Sequence, residues 1–131
     1  MARRKTRTLT ELELEIMREI WERGEVTVED IRQAFDRAGK PLALPSIRTM
    51  LSILQQKGYV TRRPFGRGHA YRAIISADQA QKRILKDIIE RAFDGSALSL
   101  VSAMVNAKMV SSKDLARIRR LIAKREKETK R

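Results

Sequence analysis

The hydrophobic period of this chain changes at Gly58 and changes back near residue 76, and that order limits what it can fold into. Up to Leu54 the apolar residues recur three and four apart, as on helices; across residues 59–75 they alternate; from residue 76 the helical spacing returns. Helices, then one hairpin, then helices again is an arrangement that few small folds accommodate.

Punctuation sharpens the reading. Thr10 and Glu13 form a capping box, each able to satisfy the other's backbone N–H, and the helix they open carries Leu9, Leu12, Ile16, Met17, Ile20 and Trp21 on its apolar side. Gly24 supplies a left-handed stop. Thr27, with Asp30 three residues on, caps a second helix to about residue 38, with Val28, Ile31, Ala34 and Phe35 inward; Gly39 and Pro41 break it. A third helix is expected over 45–57, with Pro45 tolerated in its first turn. Its inward face is Ile47, Met50, Leu51 and Leu54, which leaves Ser46, Arg48, Thr49, Ser52 and Gln56 outward. Residues 59–64 and 69–75 read as strands joined by the turn FGRG, a hairpin with Arg67 at its tip and Arg62, Arg63 and Arg72 on its sides.

The tail has three one-sided helices. Ser76 and Gln79 cap the first, over 77–93, which Asp94-Gly95 ends; a shorter one follows over 97–107; Ser111 caps the last, and the terminal KREKETKR is expected to fray. The division expected is 1–75 for the first domain and 76–131 for the second. The tail's apolar stripe is Ile84, Leu85, Ile88, Ile89, Leu98, Val101, Met104, Val105, Leu115, Ile118, Leu121 and Ile122. Packed within one chain, so short a tail closes a poor core; packed on a second copy across a two-fold axis, it closes a good one. A homodimer is therefore the expectation.

Charge points to the partner. The 131 residues carry a net charge of +13, which calls for a polyanion, nucleic acid or an anionic surface. Between Asp36 and Asp78 there is no acidic residue, while Arg37, Lys40, Arg48, Lys57, Arg62, Arg63, Arg67 and Arg72 all fall there. Residues 1–8 add a basic arm that includes Arg3 and Arg4. No apolar run approaches the roughly 20 residues of a membrane span, and the basic start lacks the apolar stretch of a signal peptide, so neither membrane insertion nor export is expected. The expected location is the cytoplasm.

Catalysis finds little purchase. The single histidine, His69, lies in the hairpin; no His, Cys or carboxylate cluster has ligand spacing; FGRG joins strand to strand and is too short for a phosphate loop. No enzyme activity, metal or cofactor is expected. Three helices and a hairpin are the order of a winged helix-turn-helix, so the fold class is mainly α, with the hairpin as wing and a C-terminal helical dimerisation region. Small hydroxyls and an arginine on the exposed side of the third helix suit a major groove, where arginine can bond guanine bidentately. The expected DNA-contacting set is Ser46, Arg48, Thr49, Ser52, Arg62, Arg63, Arg67, His69 and Arg72. The competing interpretation is a nucleic-acid or anionic-surface binder without operator specificity.

The stretches LTELELEIMREIWERGEVTVEDIRQAF, SIRTMLSILQQKGYVTRR and GRGHAYRA resemble the penicillinase-repressor family, over about residues 9–125. Leu9, Glu13, Met17 and Trp21 of the first helix, and SIRTML of the third, carry the resemblance most specifically. It implies a homodimeric winged-helix repressor of a palindromic operator in double-stranded DNA, with recognition helix 45–57 and wing 59–75. It also implies, for the β-lactam branch, a membrane sensor protease that cuts an Asn-Phe bond in the dimerisation region. Here the matching position carries Ala103-Met104, and the nearest asparagine is Asn106. The copper branch's cysteine cluster has no counterpart, because the chain has no cysteine.

Overall fold

A computed structural model describes residues 8–130; the arm residues Arg3 and Arg4 lie outside that range. Six helices and three strands follow in the order α1 (Glu11–Arg23), β1 (Glu25–Thr27), α2 (Val28–Arg37), α3 (Leu44–Gln56), β2 (Val60–Phe65), β3 (Gly68–Ala73), α4 (Ala77–Ala92), α5 (Ala97–Asn106) and α6 (Ser112–Thr129). The fold is a winged helix with a helical tail.

Local chemistry explains most boundaries. Both bonds of the Thr10–Glu13 capping box form, at 2.9 and 3.2 Å, and both bonds of the Thr27–Asp30 box form, at 2.9 and 3.1 Å. Gly24, at φ 90, turns the chain out of α1 in a conformation that a side chain disfavours. Ser76 and Gln79 make the reciprocal pair ahead of α4, and the Ser111 hydroxyl accepts from the Asp114 N–H ahead of α6. α6 runs on to Thr129, through most of the terminal KREKETKR, the stretch expected to fray. These residues are good helix formers, and Arg125 and Glu128, at 3.6 Å, meet one turn apart.

The sheet has one strand more than the hairpin expected from sequence. β1, three residues long, pairs antiparallel with β3, so the order is β1-β3-β2 and the hairpin strand β3 is central. Val26 faces Tyr71 across this pairing, and both are buried. Ile16, Met17 and Ile20 of α1, Ile31 and Phe35 of α2, and Ile47, Leu51 and Leu54 of α3 close the core over Val26, Val60 and Tyr71. A buried ion pair ties the start of α1 to the end of α3: Lys57 Nζ donates to Glu13 Oε1 at 2.7 Å and to the Thr8 carbonyl at 3.0 Å.

The described chain divides into a unit that extends to Asp87 and a unit from Ile88 onward. The division thus falls inside α4, later than the end of the hairpin. Ile75 and Ala80 belong to the winged-helix core, Trp21 Nε1 donates to the Ile75 carbonyl at 2.9 Å, and the Arg83 guanidinium lies 5.2 Å from the Tyr59 ring centre. The first half of α4 is therefore a structural part of the winged helix. In the second unit no residue of α5 or α6 is buried.

Candidate nucleic-acid interface

The outward side of α3 begins with its first turn. Ala43 offers no side-chain cap, and Pro45 takes the place where a backbone N–H has no helical partner. Ile47, Leu51 and Leu54 anchor the opposite side fully inside the core, so the helix cannot rotate about its axis. That fixes Ser46, Arg48, Thr49 and Ser52 as exposed. The Thr49 hydroxyl donates to the Pro45 carbonyl at 3.0 Å. Its proton is thereby committed within the helix; what it offers outward is acceptor capacity and a methyl group, suited to an exocyclic amine or a thymine methyl.

The wing turns on Gly66. Phe65 pairs with Gly68, leaving a two-residue loop, and Gly66 at φ 56 in its first position gives the type II′ pattern that matches strand twist. Arg67 stands exposed at the tip. Strand alternation then sorts the remaining cations. Arg62 lies opposite Tyr71 and shares a face with His69; Arg63 and Arg72 lie on the other face, with Glu25. His69 is half-buried, its ring centre 6.5 Å from that of Tyr71.

A groove of about 390 Å³ runs between the start of α2, the start of α3 and the wing tip, and Arg48, Arg67 and His69 line it together with Leu44, Phe65 and Glu29. Of the residues expected to meet DNA, these three are brought to one place. Ser46, Thr49 and Ser52 follow on the exposed side of α3, and Arg62 stands outside the groove. Arg63 is engaged elsewhere: its Nε and Nη2 donate to the two Glu25 carboxylate oxygens at 2.9 and 2.7 Å, and its guanidinium lies 5.3 Å from the Phe65 ring centre.

The acid-free stretch of the sequence is not an acid-free surface. β1 carries Glu25 beside the wing arginines, and α2 carries Glu29 to the groove. Both carboxylates are answered. Hydrogen bonding from Arg63, with the charges of Arg63 and Arg72, holds the Glu25 carboxyl below its ordinary value, and the Arg32 guanidinium does the same for Glu29. Arg32 also reaches Asp36, at 2.5 Å. Sequence reading missed Glu25, Glu29 and Phe65. The available hint was Val26, an apolar residue between a stop glycine and a capping threonine.

The tail's apolar stripe is open within this chain. Leu85, Ile88, Leu98, Val101, Met104, Val105, Leu121 and Ile122 are exposed, while Ile84, Ile89, Leu115 and Ile118 are half-buried. A groove of about 710 Å³ between α5 and α6 has Met104, Met109, Ile118 and Leu121 in its lining, with Arg117, Arg120 and Lys124 beside them. Among the described residues no helix is long and apolar enough to cross a membrane, and no group of His, Asp or Glu could hold a metal ion.

Comparison with known proteins places these features. The family model described as penicillinase repressor matches residues 9–124. The methicillin resistance regulatory protein MecI of Staphylococcus aureus strain N315 is 22% identical over 121 residues, spanning 92% of this chain and 98% of the relative. MecI of Mammaliicoccus sciuri is 23% identical over 125 residues, with the same two coverages of 92% and 98%. The solution structure of the DNA-binding domain of the repressor BlaI matches with a TM-score of 0.50 at 23% identity, covering 59% of this chain and 93% of that domain.

Proposed function

The chain belongs to the penicillinase repressor family, and from that premise we propose that it represses transcription as a homodimer on a palindromic operator, one α3 helix in each half-site. The family is one of DNA-binding repressors and not of enzymes. The observation that carries the finer reading is the convergence of Arg48, Arg67 and His69 on one groove at the start of α3. A helix whose first turns face a wing can lay those turns on base edges while the wing reaches the adjacent backbone.

Roles follow from position. Arg48, with Ser46, Thr49 and Ser52, reads bases; Arg62, Arg67 and Arg72 bind phosphates; His69 lines the groove between the two sets. The unit to Asp87 binds DNA, and the open stripe of α4, α5 and α6 pairs with its own copy. Two-fold pairing sets the recognition helices about one DNA turn, or a multiple of it, apart. A repressor acts where its operator DNA lies, so the proposed location is the cytoplasm. Release by a membrane sensor protease requires α5, which holds Ala103-Met104, to open first, because cleavage favours exposed loops over helices.

Operators selected from random duplexes should be inverted repeats. Arg48→Ala should cost about 1–3 kcal/mol of specific binding and far less of nonspecific binding. An unchanged operator affinity in that variant would remove Arg48 from base readout, and a selected site without two-fold symmetry would defeat the homodimeric reading.

A further inference from the structure

α6 carries a pattern that neither base readout nor self-pairing explains. Lys113, Arg117, Arg120, Lys124 and Lys127 recur at steps of four, three, four and three, which places them in one row along the helix. All five are exposed. From Lys113 to Lys127 the row spans about 21 Å, at about 1.5 Å per residue. Residues 112–130 hold eight Lys or Arg against three acids, Asp114, Glu126 and Glu128. Asp114 sits in the first turn, where the helix dipole favours a negative charge, and Glu128 is engaged by Arg125.

Several cations of the other unit are paired. Arg23, Arg32, Lys40, Lys57 and Arg63 each meet a carboxylate. Among the described residues none of the five cations in the α6 row is in an ion pair. A row of unanswered like charges repels itself. A polyanion with regularly spaced charges relieves that repulsion, and duplex DNA offers one charge for about every 1.7 Å of its axis.

We infer that the row on α6 is a second DNA-contacting surface, a ridge that lies on phosphates and reads no bases. The inference rests on the DNA-binding reading above only for its choice of polyanion. A membrane surface fits less well. A helix lying in a bilayer interface inserts its apolar face, often with aromatic anchors, whereas α6 has no aromatic residue, Leu115 and Ile118 on its apolar side are half-buried within the tail, and the exposed Leu121 and Ile122 belong to the stripe proposed to pair with its own copy.

The test neutralises the ridge in the full-length chain as Lys113→Gln, Arg120→Gln, Lys127→Gln, with Lys113→Arg, Lys127→Arg as the charge-preserving control. Sedimentation and thermal melting establish that both variants keep the parent's assembly and fold; Arg117→Gln, Lys124→Gln is the substitute if the first does not. Affinity for a random-sequence duplex is measured against salt. The log–log slope should flatten by about 0.9 for each phosphate contact removed, the control should keep the parent slope, and base preference at the operator should not change. An unchanged slope overturns the ridge. So does an unchanged DNA slope with loss of binding to phosphatidylserine–phosphatidylcholine vesicles, which would make the surface a membrane contact. If the ridge variant keeps its slope while Arg48→Ala loses operator binding, the ridge alone fails; if the parent prefers no duplex sequence, the base-reading proposal fails.

Discussion

Ile16, Leu51 and Leu54 of the winged-helix unit are fully buried, whereas Leu98, Val101 and Leu121 of the tail stand open to solvent. Charges differ less sharply. The first unit pairs Arg23, Arg32, Lys40, Lys57, Arg63 and Lys82 with carboxylates, the Lys57 pair nearly sealed from water, and the tail leaves a row of cations unanswered. One unit therefore meets its packing requirement within the chain, and the other has apolar surface and a row of charges left over. The division suits the dimeric repressor proposed above: a domain that must hold a reading helix rigid packs its own core, and a tail that would bring two such domains together keeps apolar surface for a partner.

The largest effect should come from removing the incomplete unit. A chain ending at Asp87 keeps Ile75, Ala80 and Arg83 with the core they serve. It should fold as a monomer, retain base preference and bind the operator about 10²–10⁴-fold more weakly, the factor lost when two half-site contacts are uncoupled. Ending at residue 75 should also unfold it, because Ala80 and the Tyr59–Arg83 contact go too. Equal operator affinity for the chain ending at Asp87 and the whole would show that the tail adds nothing, and the comparison would fail.

The next contrast is in stability. Lys57→Met strands the Glu13 carboxylate inside the protein and should destabilise it by about 3–5 kcal/mol, while Lys57→Met with Glu13→Leu should recover much of the loss. Leu51→Ala, which opens a cavity in the core, should cost about 2–5 kcal/mol. Leu98→Ala should change the monomer's stability by less than about 0.5 kcal/mol and instead weaken dimerisation. Denaturant melts at two protein concentrations separate these cases: the Leu98→Ala loss should grow with concentration and the Leu51→Ala loss should not.

Most of what could be read directly in the sequence depends on neighbours along the chain. Thr10 with Glu13, Thr27 with Asp30 and Ser76 with Gln79 are three residues apart, so residue identity alone fixes the cap. The type II′ turn at Gly66 and the outward side of α3 are local in the same sense. What escaped depends on distant partners. β1 is too short to show alternation and exists because β3, over forty residues on, pairs with it. Lys57 sat in the acid-free stretch as a candidate surface cation, yet its partner Glu13 lies 44 residues back. The unit boundary moved into α4 because Ala80 completes a core built from much earlier residues.

The smallest effect tests that lesson at the wing. In sequence Arg63 and Arg67 look alike; in space Glu25 holds Arg63 in a two-pronged pair, while Arg67 stands at the tip. Arg67→Gln should flatten the salt dependence of duplex binding by about 0.9 per protomer, one phosphate contact. Arg63→Gln should leave that slope nearly unchanged, because its guanidinium is already neutralised. Glu25→Gln should steepen the slope by up to the same amount, since the freed guanidinium then has only phosphates to answer it. The pairing also fixes a pH dependence. The Glu25 carboxyl is held below its ordinary value in the fold, by its bond to Arg63 above all, so its contribution to stability is fully present above the usual carboxylate range and is lost as pH falls through the lowered value. Between about pH 6 and 8 the pair should stay closed and the Arg63→Gln slope should track wild type. Below that lowered value Glu25 should release Arg63, and the wild-type slope should approach that of Glu25→Gln. If Arg63→Gln flattens the slope at neutral pH as much as Arg67→Gln does, the guanidinium leaves Glu25 for the duplex, and the wing's charges are no more settled than those of the tail.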